Sequence, residues 1–126
     1  WSFAGLAADE TTGILFAVDQ GRGLANAFRP TGEGDIELLW QRELRVSASN
    51  TLVADRGLVY LTDFVEGSNH LVVLDLMTGE ERVRVPTPST RATIGGLLCT
   101  SADEVWLASN EPGRPTGHLV RIRVHD

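Results

Sequence analysis

The sequence predicts an all-β chain that forms a segment of a β-propeller, with about three four-stranded antiparallel blades. Two observations lead to this prediction. Residues 52–60 read as strand, tight turn and strand, and they align without gaps on residues 98–106, an offset of 46. Helical periodicity is weak, because glycine, proline and β-branched residues interrupt every long window. A period of about 40 to 50 residues with four strands is typical of a propeller blade.

The first blade is predicted over residues 1–46. Residues 6–9 form its first strand, and residues 14–16 begin its second after a turn that is two residues longer than in the other copies. A Thr-Gly-Glu sequence at residues 31–33 recurs at residues 78–80, an offset of 47. This second landmark supports the period.

The middle blade, predicted over residues 47–91, is the clearest copy. Its four strands are predicted at about residues 50–55, 57–64, 70–76 and 81–86. Residues 58–61 are continuously apolar, as expected of a strand that is buried on both faces. Residues 81–85 alternate between charged and apolar, which indicates a half-exposed outer strand.

The third blade, predicted over residues 92–126, reaches only its third strand at residues 119–124, so we expect it to be incomplete. The whole chain is predicted to be a single partial propeller domain. Three blades do not close a ring, since propellers use about four to eight. The expected partners are therefore the remaining blades of a larger propeller or a second copy of the chain. An immunoglobulin-like sandwich is the alternative fold, but it would not be expected to show the 46-residue offset.

Charge and hydropathy exclude two classes of partner. The chain has 17 acidic and 11 basic residues, a net charge of −6, and its arginines form no run, so no nucleic-acid surface is predicted. No stretch approaches the ~18 apolar residues of a membrane-spanning helix, so no span is predicted. Cys99 is the single cysteine, which excludes an internal disulfide.

Residues 57–60 and 71–80 carry a resemblance to a known family. They are similar to the repeats of pyrroloquinoline-quinone-like, quinoprotein-type β-propellers, in which a strand ending in aspartate leads through a Thr-Gly turn to an outer strand. Other bacterial surface and periplasmic propellers share this pattern. The resemblance implies a bacterial protein in the periplasm or outside the cell, although the residues themselves leave the compartment unknown. It also implies that a tryptophan after the turn docks neighbouring blades, a position matched by Trp40.

The chain departs from the family at positions that matter for activity. Val83 stands where the second copy would have its tryptophan, and Phe28 where the first copy would have its aspartate. The adjacent cysteines of quinoprotein alcohol dehydrogenases are missing. We therefore expect a non-catalytic propeller scaffold that binds a protein or a small ligand, with no catalytic residue, metal or cofactor. The alternative is a fragment of a quinoprotein dehydrogenase or related propeller enzyme, with pyrroloquinoline quinone or calcium as cofactor.

Candidate ligand-binding residues are expected on the face where the second strand of each blade turns into the third and where the fourth leads to the next blade. They are Asp19, Arg45, Asp63, Arg91 and Asn110. Asp19 and Asp63 occupy matching positions, so both should point at the same circumference of that face. Alternatively, each aspartate shapes its own loop by accepting backbone N–H bonds. The two arginines suit an anionic ligand, or they pair with acids of a neighbouring blade.

Two weaker signals lie at the same end of the blades. Residues 63–69 contain several oxygen ligands but lack the regular spacing of a calcium loop. His70 and His118 recur at the starts of third strands, 48 residues apart, and we expect them to lie at the blade edges. No third metal ligand is spaced to join them.

Overall fold

The computed structural model of the chain describes residues 3–19, 22–44, 53–65, 68–86, 96–101, 104–109 and 118–123. Within these ranges the chain forms three antiparallel sheets in which each strand pairs with its neighbour in sequence. The described part contains no helix that is long and apolar enough to cross a membrane. The prediction of an all-β propeller segment is confirmed.

In the described ranges eleven strands make up the three sheets, which we call the first, second and third blade. The first blade contains β1 (Phe3–Ala8), β2 (Leu15–Asp19), β3 (Leu24–Pro30) and β4 (Ile36–Glu43). The second contains β5 (Val53–Asp55), β6 (Leu58–Val65), β7 (Ser68–Asp75) and β8 (Glu81–Pro86). The third contains β9 (Gly96–Ser101), β10 (Glu104–Ser109) and β11 (His118–Arg123).

The strands of the middle blade fall close to their predicted positions. The first is described from Val53, because residues 50–52 of the predicted strand lie outside the described ranges, and the third begins two residues early, at Ser68. The boundaries between blades stay a prediction, because residues 45–52 and 87–95, which join the sheets, lie outside the described ranges.

Each blade has two side-chain faces. We call the face toward the next blade in the chain the forward face and the opposite one the rear face. On the first blade, Phe16 and Ala27 are paired residues of the forward face, and Ala17 and Asn26 of the rear face. The innermost strands of successive blades touch, since β1 contacts β5 and β5 contacts β9. The blades are thus arranged around a common centre, as in a propeller.

Among the residues whose burial the structure describes, the hydrophobic core lies between the first two blades. Residues of the forward face of the first blade and the rear face of the second form one buried cluster together with Leu44 and Leu76: Ile14, Phe16, Val18, Ala25, Ala27, Val59, Leu61, Val72 and Leu74. Tyr60 and Val73, on the forward face of the second blade, are also buried. The second blade is therefore covered on both faces, as the apolar run at residues 58–61 predicts.

The outer strand of the second blade is half-exposed. Burial alternates along β8, with Val83 and Val85 partly buried and Arg82 and Arg84 more exposed. This alternation matches the prediction from the sequence.

Candidate functional site

The structure describes two of the five candidate ligand-binding residues. Asp19 ends β2, and Asp63 lies near the end of β6; both are buried. Arg45, Arg91 and Asn110 lie outside the described residues, so the grouping of all five at one face stays a prediction.

The two aspartates are equivalent in the repeat but lie in different surroundings. Both side chains lie on the rear faces of their blades. Side chains two residues apart in a strand share a face, so Asp19 lies with Ala17 and Asp63 lies with Leu61. The rear face of the second blade packs against the first blade. Asp19 has the Nε atom of Arg22 3.8 Å from its Oδ2 atom.

Asp63 takes part in a chain of charges across its blade. Its Oδ2 atom is 3.0 Å from Nη1 of Arg84, which reaches across β7 from the outer strand. The same guanidinium donates to Oε1 of Glu81 through Nε at 2.9 Å and Nη2 at 2.7 Å. The hydrogen bond to Glu81 is the main reason that the pKa of Arg84 is raised. Burial lowers this pKa, and the hydrogen bond to Asp63 raises it further. This pairing with the outer strand is not visible from sequence spacing.

The charge chain continues into the first blade. Nη2 of Arg42, on β4, lies 3.6 Å from Oε1 of Glu81, and its Nη1 donates to the backbone oxygen of Gly79 at 2.9 Å. Four alternating charges therefore connect the buried Asp63 to the neighbouring blade. In this arrangement Asp63 pairs with Arg84, and Glu81 connects the same guanidinium to Arg42 of the first blade.

Asp9 is a third buried aspartate among the described residues, which the sequence marks only as part of the repeat. Its Oδ1 atom accepts hydrogen bonds from the backbone N–H and the hydroxyl of Thr11, at 3.2 and 2.8 Å. Its Oδ2 atom accepts from the hydroxyl of Thr12 and from the backbone N–H of Gly57 in the second blade, both at 2.7 Å. Burial raises the pKa of Asp9, but the hydrogen bonds from Thr12, Thr11 and Gly57 together lower it below 3.8.

The turn after β7 is organised by Asp75. Its Oδ1 atom accepts from the backbone N–H groups of Met77 and Thr78, at 2.8 and 3.2 Å. Its Oδ2 atom accepts from Nη2 of Arg82 at 2.9 Å, and this hydrogen bond is the main reason that the pKa of Asp75 is lowered. Asp75 thereby gives the Thr-Gly turn a fixed shape.

Trp40 of the first blade packs on this turn. A Cβ atom added to Gly79 would lie 2.6 Å from the indole, and Gly79 has a φ of +76°, so both space and backbone require glycine. The indole N–H donates to the backbone oxygen of Leu76 at 2.7 Å. The ring of Phe16 lies 5.9 Å from that of Trp40, centroid to centroid. Trp40 thus contacts the second blade by packing and by a hydrogen bond.

The Thr-Gly-Glu sequence of the first blade forms a different turn. There the backbone N–H and hydroxyl of Thr31 both donate to the backbone oxygen of Asp35. In the first blade the register between β3 and β4 shifts just after the pair Ala27 and Trp40. In the second blade the register between β7 and β8 shifts just after the pair Val73 and Val83. Strand pairing therefore makes Arg29 the residue equivalent to Asp75. The equivalence of Phe28 with that aspartate was wrong by one residue, because the hairpin of the first blade is longer.

The described residues offer few groups for metal chemistry. They include no cluster of three or more histidine, cysteine, aspartate or glutamate side chains that could hold a metal ion. His70 lies opposite Asp63 in the β6–β7 ladder, and its buried Nδ1 atom has no hydrogen-bond partner among the described residues. His118 begins β11 opposite Ser109, the same place in the third blade.

Comparison with known proteins gives a fold but no family. No protein-family model and no curated protein sequence matches the chain. Among solved structures it is similar to a luciferin-regenerating enzyme, with a TM-score of 0.59 and 13% identity over 98% of this chain and 47% of that one. A PQQ-bound aldose sugar dehydrogenase from Streptomyces coelicolor gives a TM-score of 0.57 and 12% identity, over 98% of this chain and 43% of the other.

A third similar structure is KlHsv2 with its loop 6CD replaced by a Gly-Ser linker, with a TM-score of 0.55 and 9% identity. That match covers 97% of this chain and 40% of KlHsv2. The chain therefore spans less than half the length of the three proteins. At these identities the similarity supports a propeller-like fold.

Proposed function

We propose that this chain is a non-catalytic segment of a β-propeller and serves as a rigid scaffold that binds a protein or a small ligand. One observation carries the proposal: two of the three buried acids described in the first two blades, Asp9 and Asp63, take part in contacts that lead from one blade to the other. Asp9 bonds to Gly57 of the next blade, and Asp63 begins the charge chain that ends on Arg42. Acids held in this way keep a surface in a fixed shape.

The contact of Trp40 with Gly79 supports the finer assignment to pyrroloquinoline-quinone-like repeats. In that family a tryptophan is expected to dock on the Thr-Gly turn of a neighbouring blade, and Trp40 stacks on such a turn here. The missing tryptophan at Val83 agrees with degenerate repeats, which favour a scaffold over an enzyme.

A titration with pyrroloquinoline quinone and calcium chloride tests the proposal. We expect no quinone absorbance to elute with the protein in gel filtration, and D-glucose with an electron-accepting dye should give no dye reduction. Asp63→Asn should lower the unfolding temperature, because Arg84 loses one of its two charged partners and keeps only Glu81. If quinone is retained, and if Asp63→Asn releases it at unchanged stability, the scaffold proposal fails and Asp63 is a ligand.

The second candidate is a fragment of a quinoprotein dehydrogenase or related propeller enzyme. The observation in its favour is the similarity to the PQQ-bound aldose sugar dehydrogenase. Retained quinone together with glucose-dependent dye reduction would support this candidate directly.

A further inference from the structure

Met77 connects the first two blades through its sulfur. It is the one methionine of the sequence and lies in the turn between β7 and β8, where it is 48% exposed. The sulfur accepts a hydrogen bond from Nη2 of Arg29, on β3 of the first blade, at 3.1 Å. A thioether of the second blade therefore contacts a cation of the first while part of it stays in water.

Both ends of this contact are held in position. The carboxylate of Asp75 accepts hydrogen bonds from the backbone N–H groups of Met77 and Thr78, at 2.8 and 3.2 Å, so the backbone of the turn is fixed. Arg29 lies two residues after Ala27 in β3 and shares its forward face, which packs on the second blade. The guanidinium is thereby directed at the turn that carries the sulfur.

Arg29 donates to a weak acceptor. A thioether sulfur accepts hydrogen bonds poorly, whereas a guanidinium bonds best to an oxygen that carries negative charge. Glu37 is the partner of Arg29 in the β3–β4 ladder, but no ion pair of 4.0 Å or less joins them. The charge of this guanidinium is therefore available to a stronger acceptor at the position of the sulfur.

Oxidation of Met77 would supply such an acceptor. In the reaction with hydrogen peroxide, a lone pair of the sulfur attacks one peroxide oxygen and the O–O bond breaks. The second oxygen takes the proton of the first and leaves as water. The sulfur loses two electrons and the peroxide gains them, and the product is a sulfoxide. Its oxygen carries a large partial negative charge, so it accepts a stronger hydrogen bond from a guanidinium than the sulfur does.

The geometry permits both the reaction and the new hydrogen bond. A thioether sulfur has two lone pairs, and Arg29 donates to one of them. The exposure of Met77 lets peroxide reach the other. Because the methionine side chain is long and flexible, the new oxygen can turn toward Arg29 without a change in the backbone. Since much of the side chain is already in water, an added polar atom disturbs little apolar packing.

We propose that Met77 is a site of oxidation by peroxide, and that its sulfoxide accepts a hydrogen bond from Arg29 and tightens the contact between the first two blades. Both residues belong to consecutive blades, so the contact does not depend on what adjoins the outer faces of the segment. A sulfoxide in an apolar contact usually weakens it. Here the expected effect has the opposite sign, because a charged donor already points at the sulfur.

Treatment with hydrogen peroxide, followed by urea denaturation, tests the proposal. Peptide mapping should place one added oxygen on Met77, at a rate close to that of free methionine, because the side chain is exposed. The equilibrium constant for unfolding should fall about 10-fold, as expected for one stronger hydrogen bond to a charged group. Protection of Met77 from peroxide would overturn the proposal, and so would an oxidised chain that is no more stable than the untreated one.

Two variants separate the proposed bond from other effects of peroxide. Each variant is compared with its own untreated form, so any cost of the substitution itself cancels. Arg29→Ala should still be oxidised at Met77 but should gain no stability. Met77→Leu has no thioether and controls for oxidation of Cys99 and of tryptophan, so peroxide should not stabilise it. A gain as large as that of the wild type in either variant would overturn the proposal.

Met77→Gln tests the same bond without an oxidant. Its amide oxygen is a better acceptor than sulfur, on a side chain of similar length. Met77→Gln should therefore be more stable than Met77→Leu, and the difference should disappear when Arg29→Ala is added. A difference that persists without Arg29 would overturn the proposal. None of these outcomes affects the quinone titration, so the two proposals fail independently.

Discussion

Asp9→Asn tests whether the hydrogen bond from Gly57 joins the first two blades. The substitution keeps the size of the side chain and replaces one acceptor oxygen by an amide that only donates. The hydroxyls of Thr11 and Thr12 are able to turn and accept a hydrogen bond. The backbone N–H groups of Thr11 and Gly57 are not, and they lie on different oxygens of Asp9.

The size of the effect follows from this mismatch. The single amide oxygen of asparagine serves one backbone N–H, and the other then faces an N–H of the side chain. A buried donor left without its acceptor costs about 1–3 kcal/mol. The remaining bonds also lose the charge that makes them stronger. We expect Asp9→Asn to lower the free energy of unfolding by about 2–4 kcal/mol, a large part of the ~5–15 kcal/mol typical of a domain.

The same carboxylate gives the stability a pH dependence. Its pKa is lowered in the folded chain below the 3.8 of the free group, so its contribution is fully present above pH 3.8. That contribution is lost as the pH falls through the folded pKa. The difference in stability between the wild type and Asp9→Asn should therefore shrink in acid.

Urea denaturation at pH 7 and at pH 3, with hydrogen exchange at Gly57, measures both effects. Asp35→Asn is the matched control, because this exposed aspartate uses only its backbone oxygen in the turn, and it should change stability by less than ~0.5 kcal/mol. Gly57 should exchange faster in the Asp9→Asn chain. A change below ~0.5 kcal/mol with unaltered exchange at Gly57 would refute the assigned role of Asp9.

Three further substitutions test the contacts between blades, each by urea denaturation. Gly79→Ala should cost more than Gly13→Ala by about 2 kcal/mol, since both have positive φ but only the former would clash with Trp40; equal losses would contradict the contact. Trp40→Phe should cost about 1–2 kcal/mol through the lost indole N–H bond, and a neutral result would count against it. Arg84→Met should cost about 1–2 kcal/mol because the buried Asp63 loses its counter-charge, with Arg84→Lys losing less; an equal loss in both would point to packing instead of charge.

The fold was predictable because it depends on a repeated local pattern. The offset of 46 residues gives the period of the blades. The apolar run at residues 58–61 and the alternation at residues 81–85 indicate whether both faces of a strand are buried or only one. Such patterns survive in a single sequence because burial acts on every residue of a strand.

The partners of the polar residues were less predictable. Asp9 bonds to a residue 48 positions away, and Asp63 to an arginine two strands away in its own sheet. Both pairings depend on how strands stack and twist, which spacing along the chain does not encode. The Thr-Gly match at residue 31 failed to predict the turn for the same reason. The residue types at 31–33 and 78–80 are the same, but the length of the hairpin determines the shape of the turn.

The contact between Trp40 and Gly79 has a consequence for how such repeats diverge after duplication. The indole belongs to one copy and the glycine that receives it to the next, so the two positions are inherited in different repeats yet depend on each other. The second copy has Val83 at the position of the tryptophan, and it contains the turn that receives the indole of the first. Exchange of the first two blades would separate the indole from its turn. The contacts between blades therefore depend on the order of the copies, and recombination between repeats would be expected to damage the chain although the copies share one strand arrangement.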